Sequence, residues 1–339
     1  MIRRFPLAIA SASALLAVVG CVAAGILAGC DGSQPPISAP GALSQSRAVA
    51  THAGRGGSWM LPGAKGQDLI YATGGCEGTC ILSYPEGKRV GAISGYQGNG
   101  LGGDCSDGDG NVYISNNIEV VEFAHGGTTP IASFPLPQGD ANGCAIDPAS
   151  GNLAVVFGFT GVAIFSKGSS APNLYSTLID ATYCGSDDAG NLFVDGITTD
   201  TRGIAYGLSE LVSGDSAFEM LTLDQGVGLP GQIQWDGQYV TYESASSGLF
   251  TISRLAVAGS SATIVSQTTL RRVRDRLEQS WIYKGSLIAP YTNHGTHARA
   301  IGIWKYPKGG APTKRITTFG SYDNKTFGFL AATVSVAPH

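Results

Sequence analysis

A tight-turn signature recurs six times along this chain, an apolar residue followed three positions later by glycine, and it constrains the fold more than any other feature. The copies are Tyr84-Pro85-Glu86-Gly87, Phe123-Ala124-His125-Gly126, Phe165-Ser166-Lys167-Gly168, Leu211-Val212-Ser213-Gly214, Ala256-Val257-Ala258-Gly259 and Tyr306-Pro307-Lys308-Gly309. Their spacings are 39, 42, 46, 45 and 50 residues. A second marker keeps the same step: a polar or glycine-containing turn leads into a short β-rich run beginning at Asp68, Asn111, Asn152, Asn191, Gln238 and Ser286. Two markers in phase indicate one small unit used repeatedly.

Each unit holds four short runs separated by turn residues, as in Cys144-Ala145-Ile146-Asp147, Asn152 to Phe157, Gly161 to Phe165 and Asn173 to Leu178. Runs of this length between turn residues read as antiparallel strands. Only Leu270 to Trp281 has the length for a helix, so a βαβ arrangement is excluded. A four-stranded sheet repeated at this period predicts an all-β fold, a six-bladed β-propeller of four-stranded antiparallel blades spanning roughly Gln67 to Ser335. The first unit begins at its second strand. Phe327 to Val334 at the far end of the chain is expected to supply the missing inner strand, closing the ring and hiding its edges.

The repeated pattern of a strand ending in Asp, then Gly-Asn and an apolar strand, resembles the NHL-type and gluconolactonase-like propellers. It stands at Asp147-Pro148-Ala149-Ser150-Gly151-Asn152-Leu153 and Asp187-Asp188-Ala189-Gly190-Asn191-Leu192. The Ile233-Gln234-Trp235-Asp236-Gly237 segment is similar to a motif of uncharacterised bacterial propeller proteins. Gluconolactonase-like propellers hold a divalent cation in the central channel with Glu, Asn and Asp from separate inner strands; that set has no recognisable counterpart here, and the inner strands offer only Asp104, Asn142 and Asp187 as candidate oxygen ligands. Asp beside Gly at a strand end is equally ordinary hairpin chemistry. The run Asp104 to Asn111 fails the register of an EF-hand loop, because Val112 stands five places after Asp107 where glycine is required.

The N-terminus carries a different signal. Arg3 and Arg4 precede 23 uncharged residues from Phe5 to Leu27, and Leu27-Ala28-Gly29-Cys30 closes the run. A basic start, an apolar middle and small residues at the cleavage point describe an export signal, and the Cys behind them resembles a bacterial lipobox. The expectation is a signal peptide at 1–29, a diacylglyceryl group on Cys30 as mature N-terminus, and a flexible tether at 30–57 rich in Pro, Ser, Ala and Gly. The alternative is an uncleaved membrane anchor. In both readings residues 58–339 form one domain outside the cytoplasm, in the cell envelope of a bacterium. Asp31 resembles an inner-membrane retention signal, a rule that varies among bacteria.

The net charge of -4, with charged residues at 14%, supplies no basic field for a phosphate backbone, so nucleic acid is excluded as a partner. Of seven cysteines, Cys21 lies in the signal and Cys30 at its end. Cys76 and Cys80 flank a hairpin turn, where a cross-strand disulfide fits an oxidising compartment and would contribute about 2 kcal/mol. Cys105, Cys144 and Cys184 occupy similar places in three inner strands and are expected as compact buried thiols, a bridge between neighbouring blades being the alternative. His294 and His297 lack a further zinc ligand. The basic stretch Arg271-Arg272-Val273-Arg274-Asp275-Arg276 reads as a solvated inter-blade loop.

No G-x-S-x-G elbow, zincin helix, P-loop or haem-attachment motif occurs. The expectation is a monomeric, cofactor-free binding platform for a protein or carbohydrate, held to the membrane by lipid. The alternative is a channel-metal lactonase or hydrolase of the gluconolactonase-like type.

Overall fold

The computed structural model describes residues 57–76, 78–96, 103–200, 203–246, 248–293, 299–317 and 331–338. Cys30, His294, His297 and residues 1–56 and 327–330 lie outside the described residues. The described chain is built of strands, with one 3-10 turn at Pro62–Gly66. In the first sheet β1 (Trp59–Met60), β2 (Leu69–Gly75), β3 (Gly78–Ser83) and β4 (Arg89–Ser94) stand in the order β1-β4-β3-β2. The second sheet is a meander of β5 (Asp104–Ser106), β6 (Val112–Ser115), β7 (Glu119–Phe123) and β8 (Pro130–Pro135). The third repeats it with β9 (Ala141–Ile146), β10 (Leu153–Phe157), β11 (Gly161–Phe165) and β12 (Pro172–Ser176).

The next eight strands form one sheet. Its halves are two antiparallel meanders, β13 (Asp180–Ser186), β14 (Leu192–Asp200), β15 (Gly203–Leu211) and β16 (Glu219–Leu223), then β17 (Leu229–Trp235), β18 (Val240–Ser246), β19 (Leu249–Ala258) and β20 (Ser261–Leu270). The outermost strands of the halves join in parallel, Thr222 beside Ser261 and Leu223 beside Ala262. The last sheet contains β21 (Val273–Leu277) and β22 (Trp281–Tyr283), both on β23 (Ser286–Asn293), followed by β24 (Arg299–Lys305) and β25 (Lys314–Ile316). Finally β26 (Ala331–Ser335) returns to the first sheet and pairs antiparallel with β2, Leu69 opposite Ser335 and Thr73 opposite Ala331.

The turn signature has a backbone cause. Gly87, Gly126, Gly168, Gly214, Gly259 and Gly309 each follow the third strand of their group, and all six have positive φ, from 55° to 91°. That left-handed region penalises every side chain but is open to glycine. Space adds to the constraint at Gly309, where a Cβ would lie 2.4 Å from the Thr269 carbonyl oxygen. The aspartates before the second strand act differently. Asp107 Oδ1 accepts the Asp109 and Asn111 N–H groups at 3.0 and 2.8 Å, and Asp187 Oδ1 accepts those of Ala189 and Asn191 at 3.0 and 2.9 Å. A side-chain oxygen replaces a backbone acceptor and fixes each turn.

Alternate residues of the strands face neighbouring groups, so the core lies between sheets. Tyr71, Ile81, Val112, Ile114 and Phe123 fill the gap between the first two sheets; Phe250, Ile252, Leu287 and Trp304 fill one further along. Ile70, Leu82 and Val334 pack on Ile288, Ile301 and Ile303, which sets the first sheet against the last.

One segment left open by the sequence is settled, and one expectation needs correction. Leu270 to Trp281 is no helix, since Val273–Leu277 and Trp281–Tyr283 are strands paired with β23. The basic stretch is correspondingly not a solvated loop throughout: Arg271 and Arg272 are exposed, but the chain enters β21 at Val273, where Val273 and Leu277 are buried on the core side. Burial of these two overrides the local charge density.

Candidate functional site

Three consecutive inner strands carry an extra residue. In β9 the pairing with β10 slips between Val155 and Phe157, in β13 that with β14 slips between Ala181 and Tyr183, and in β17 that with β18 slips between Pro230 and Ile233. A bulge frees backbone amides from the ladder and re-aims side chains. Two buried acids take up the freed amides. Asp195 on β14 accepts the Tyr183 N–H at 2.9 Å and also the Gly231 N–H of the following meander. Glu243 on β18 accepts the Gln232 N–H and, at 2.6 Å, the Ser280 hydroxyl of the last sheet. Each acid therefore ties its own bulge to the next group of strands. They stand at the same repeat position, three residues after Leu192 and Val240, which open their strands.

Burial dominates the electrostatics of this region. Asp195 and Glu243 are 0% and 4% exposed. Loss of solvent raises the Glu243 carboxyl to about 8, with the charge of Glu278 adding to the shift and the Ser280 and Gln232 hydrogen bonds opposing it. Asp195 is raised well above the usual carboxylate range by burial and then by Glu243. No donor among the described residues reaches its Oδ2 atom.

On the same side of the strands lies a cavity of about 220 Å³, bordered by Thr182, Tyr183, Ile197, Gly231, Glu243 and Phe250 among others. Antiparallel pairing brings the start of β17 and the tips of the β14–β15 and β18–β19 hairpins to this end of their meanders. Those segments carry Ile204, Leu229 and Leu249, exposed by 72%, 52% and 59%. Long hairpins thus place apolar groups in solvent at the same end of the meanders as a concave apolar surface with a buried acid.

The three candidate ligands do not form a set. Asp104, 0% exposed, opens β5; its carboxylate accepts the Thr73 hydroxyl, its N–H donates to Gln279 Oε1 at 2.6 Å, and its carbonyl accepts Gln279 Nε2 at 2.5 Å. Burial pushes that carboxyl up to about 7, against the Thr73 hydrogen bond. Asn142 lies near the start of β9 and is buried. Asp187 sits beyond the other end of its inner strand, after Ser186, where its oxygens are spent on the turn to Asn191. Among the described residues no three His, Cys, Asp or Glu side chains converge closely enough to hold a metal ion.

The cysteines divide into two pairs and a single thiol. Cys76 and Cys80 are joined with their Cα atoms 5.3 Å apart. Cys105 and Cys144 are also joined, Cα atoms 5.8 Å apart, linking β5 to β9, whereas compact free thiols were expected at both. Register explains the meeting: Cys144 and Cys184 face Val155 and Val194 at one repeat level, but that level in β5, opposite Ile114, belongs to Asp104. Cys105 is one place further on. Cys184 is a buried free thiol, and burial raises its pKa first, followed by the charge of Asp195. Closing 39 residues should contribute about 4 kcal/mol on the chain-entropy estimate. Peptide mass mapping without reduction is expected to show both bridges, with Cys184 alkylated only after unfolding; native alkylation of Cys105 or Cys144 contradicts the bridge.

Sequence reasoning passed over Asp195 and Glu243. The available signal is an acid within an otherwise apolar or small-residue run, Phe193-Val194-Asp195-Gly196-Ile197 and Tyr242-Glu243-Ser244-Ala245, at one position of the aligned repeats.

Sheet after sheet of short antiparallel strands, the first of them completed by a strand from the far end of the chain, defines an all-β, propeller-like protein. No family model matches the chain, and no curated protein matches it. Among solved structures it is similar to a protein of unknown function from Bacteroides caccae, with a TM-score of 0.54 and 12% identity, over 79% of this chain and 99% of that one. It is also similar to hydrazine synthase from Kuenenia stuttgartiensis, with a TM-score of 0.47 and 10% identity, over 63% of this chain and 66% of that one. The first likeness is one of fold; the second is too low to argue from.

Proposed function

We propose that this protein is a lipid-anchored, extracytoplasmic binding module, a six-bladed β-propeller that presents one end of its strands to a protein or carbohydrate ligand. The observation that carries this reading is the cavity beside Glu243, lined in part by Leu229, with Ile204 and Leu249 exposed on hairpin tips at the same end of the strands. Apolar groups held in solvent on long hairpins, beside a concave surface with few polar groups, are the usual form of a recognition site. The count of six takes each half of the eight-stranded sheet as one blade, because each half is a complete meander and Phe193 and Tyr242 pack between the two as other cores pack between separate sheets. The NHL-type resemblance stays within this proposal.

Arrays of envelope glycans and peptides probed with the full chain test the binding role. Binding abolished by Leu229→Asp or Leu249→Asp supports it. Hydrolysis of a lactone panel that those substitutions leave intact contradicts it.

The anchor is proposed at Cys30, followed by a tether of polar and small residues. Two disulfides support an oxidising compartment. Cys30→Ala is expected to abolish incorporation of radiolabelled palmitate and leave the precursor uncleaved, since the thiol is the acceptor. Normal labelling of that variant would show the anchor to be elsewhere.

A further inference from the structure

We propose that the end of the strands bearing Ile118, Phe159 and Leu178 rests on a zwitterionic lipid surface, with those three side chains inserted among its headgroups. This rests on the reading of Cys30 as the lipid anchor and adds the face that the domain turns to the bilayer. Ile118 and Phe159 stand at the tips of the β6–β7 and β10–β11 hairpins, and Leu178 on the connection from β12 to β13; they are exposed by 64%, 41% and 56%. Backbone hydrogen bonds join these segments into one surface. The Asp140 N–H donates to the Asn117 carbonyl at 2.6 Å, the Gly158 N–H to that of Asp140 at 3.1 Å, and the Thr177 N–H to that of Thr160 at 3.0 Å. Three bulky apolar groups held in water on one surface suit insertion into a lipid interface. Phe159 is the most telling, because its φ of 62° is left-handed, a region that costs a bulky residue and that glycine enters freely. The fold alone would favour glycine there.

The chain enters the domain at that same end. Ser58, just before β1, lies against the end of β4: its Oγ accepts the Ser94 N–H at 3.0 Å, and Ser94 is paired with Gly78 at the β2–β3 hairpin. That hairpin is the counterpart in the first sheet of those that carry Ile118 and Phe159. From Cys30 to Gly57 there are 28 residues, for which this composition predicts a root-mean-square span of about 30 Å. A lipid on Cys30 therefore holds this end nearest the bilayer, and over so short a tether weak apolar contacts suffice. Charge selects the lipid. Asp140 and Asp180 are exposed beside the apolar groups, whereas Lys88, Lys167, Lys284 and Lys308 stand in turns at the opposite end of their strands. An anionic surface would repel the first end and draw the second, so the contact is apolar and made with neutral headgroups. The Glu243 cavity lies at the same end, so its ligand is met near the lipid surface.

The full chain, extracted from membranes and reconstituted in phosphatidylcholine vesicles, tests this with a thiol-linked fluorophore on Phe159→Cys and, separately, on Lys167→Cys. Cys76, Cys80, Cys105 and Cys144 are in disulfides and Cys184 is buried, so the label stays where it is placed. A lipid-borne nitroxide at headgroup depth is expected to quench the Phe159 label and leave the Lys167 label bright, at low and high salt alike. Ile118→Asp and Leu178→Asp should each lower the ratio of docked to undocked chain about tenfold, read as loss of that quenching. Both positions are exposed, and the comparison of the two labels stands without these variants. Flotation of the chain with the vesicles while the Phe159 label stays unquenched, equal quenching of both labels, or quenching unmoved by the two aspartates together overturns this inference and leaves the anchor in place. A chain that does not float with the vesicles overturns both.

Discussion

Deleting residues 327–339 is expected to abolish cooperative folding or lower the melting temperature by more than about 10 °C, far beyond the loss of a frayed tail. Every residue of β26 is at most 1% exposed. Five of its residues pair with β2. Its side chains and carbonyls also reach other sheets. Ser106 Oγ donates to the Val334 carbonyl at 2.7 Å, Ser335 Oγ donates to the Gly110 carbonyl and lies 2.6 Å from His125 Nδ1, and the Ala332 N–H donates to the Gln279 carbonyl at 3.3 Å. At about 1 kcal/mol net for each hydrogen bond, well over 5 kcal/mol departs with the strand, before the exposed edge of β2 is counted. Thermal unfolding and solubility of the truncated chain measure this. A melting point within two degrees of the intact protein would mean that β26 does not hold the first sheet in place.

Raising the pH from about 5 to about 8 is expected to destabilise the fold by an amount on the order of 5 kcal/mol. In the unfolded chain Asp and Glu ionise near pH 4. Folded, Asp104 keeps its proton up to about 7 and Glu243 up to about 8, in both cases because burial penalises the charge. Between those limits the folded state binds more protons than the unfolded state, so stability falls as pH rises and is greatest at the acid end of the window. Asp195 acts in the same direction. Melting temperature measured across this range should decline in the wild type and flatten in Asp104→Asn/Glu243→Gln. A wild-type protein whose melting point climbs toward pH 8 would show that these carboxyls are ionised and compensated in the fold.

What the sequence revealed was local backbone chemistry. The six turn glycines announce the repeat because their left-handed φ admits little else, and Asp107 and Asp187 announce hairpins because their side chains stand in for carbonyls. The missing inner strand of the first sheet was visible as a gap in the repeat that Ala331–Ser335 fits. Long-range register was not visible. A single step in β5 puts Asp104 where Cys144 and Cys184 stand in the following sheets and brings Cys105 to Cys144, and nothing near Cys105 encodes that step. Asp195 and Glu243 read locally as charges in strands; what buries them is a bulge in the partner strand and the arrival of the next group. The candidate metal residues followed from strand position and residue type alone, and Asp187 falls away once its oxygens are traced to its own turn.

The parallel contact between β16 and β20 makes two neighbouring groups share one outer border. Thr222 N–H donates to the Ser260 carbonyl at 2.8 Å, and Asp224 continues the seam through the Ala262 carbonyl at 3.2 Å and the Ile264 N–H at 3.0 Å. Elsewhere an outermost strand leaves a row of donors and acceptors facing water, available to any passing extended chain. Along this seam those groups are already taken, so fibril-like stacking of molecules must begin somewhere else on the perimeter. The two groups also cannot separate without breaking the seam, which makes them one cooperative opening unit and gives the Glu243 cavity, set across both, a floor whose halves move together.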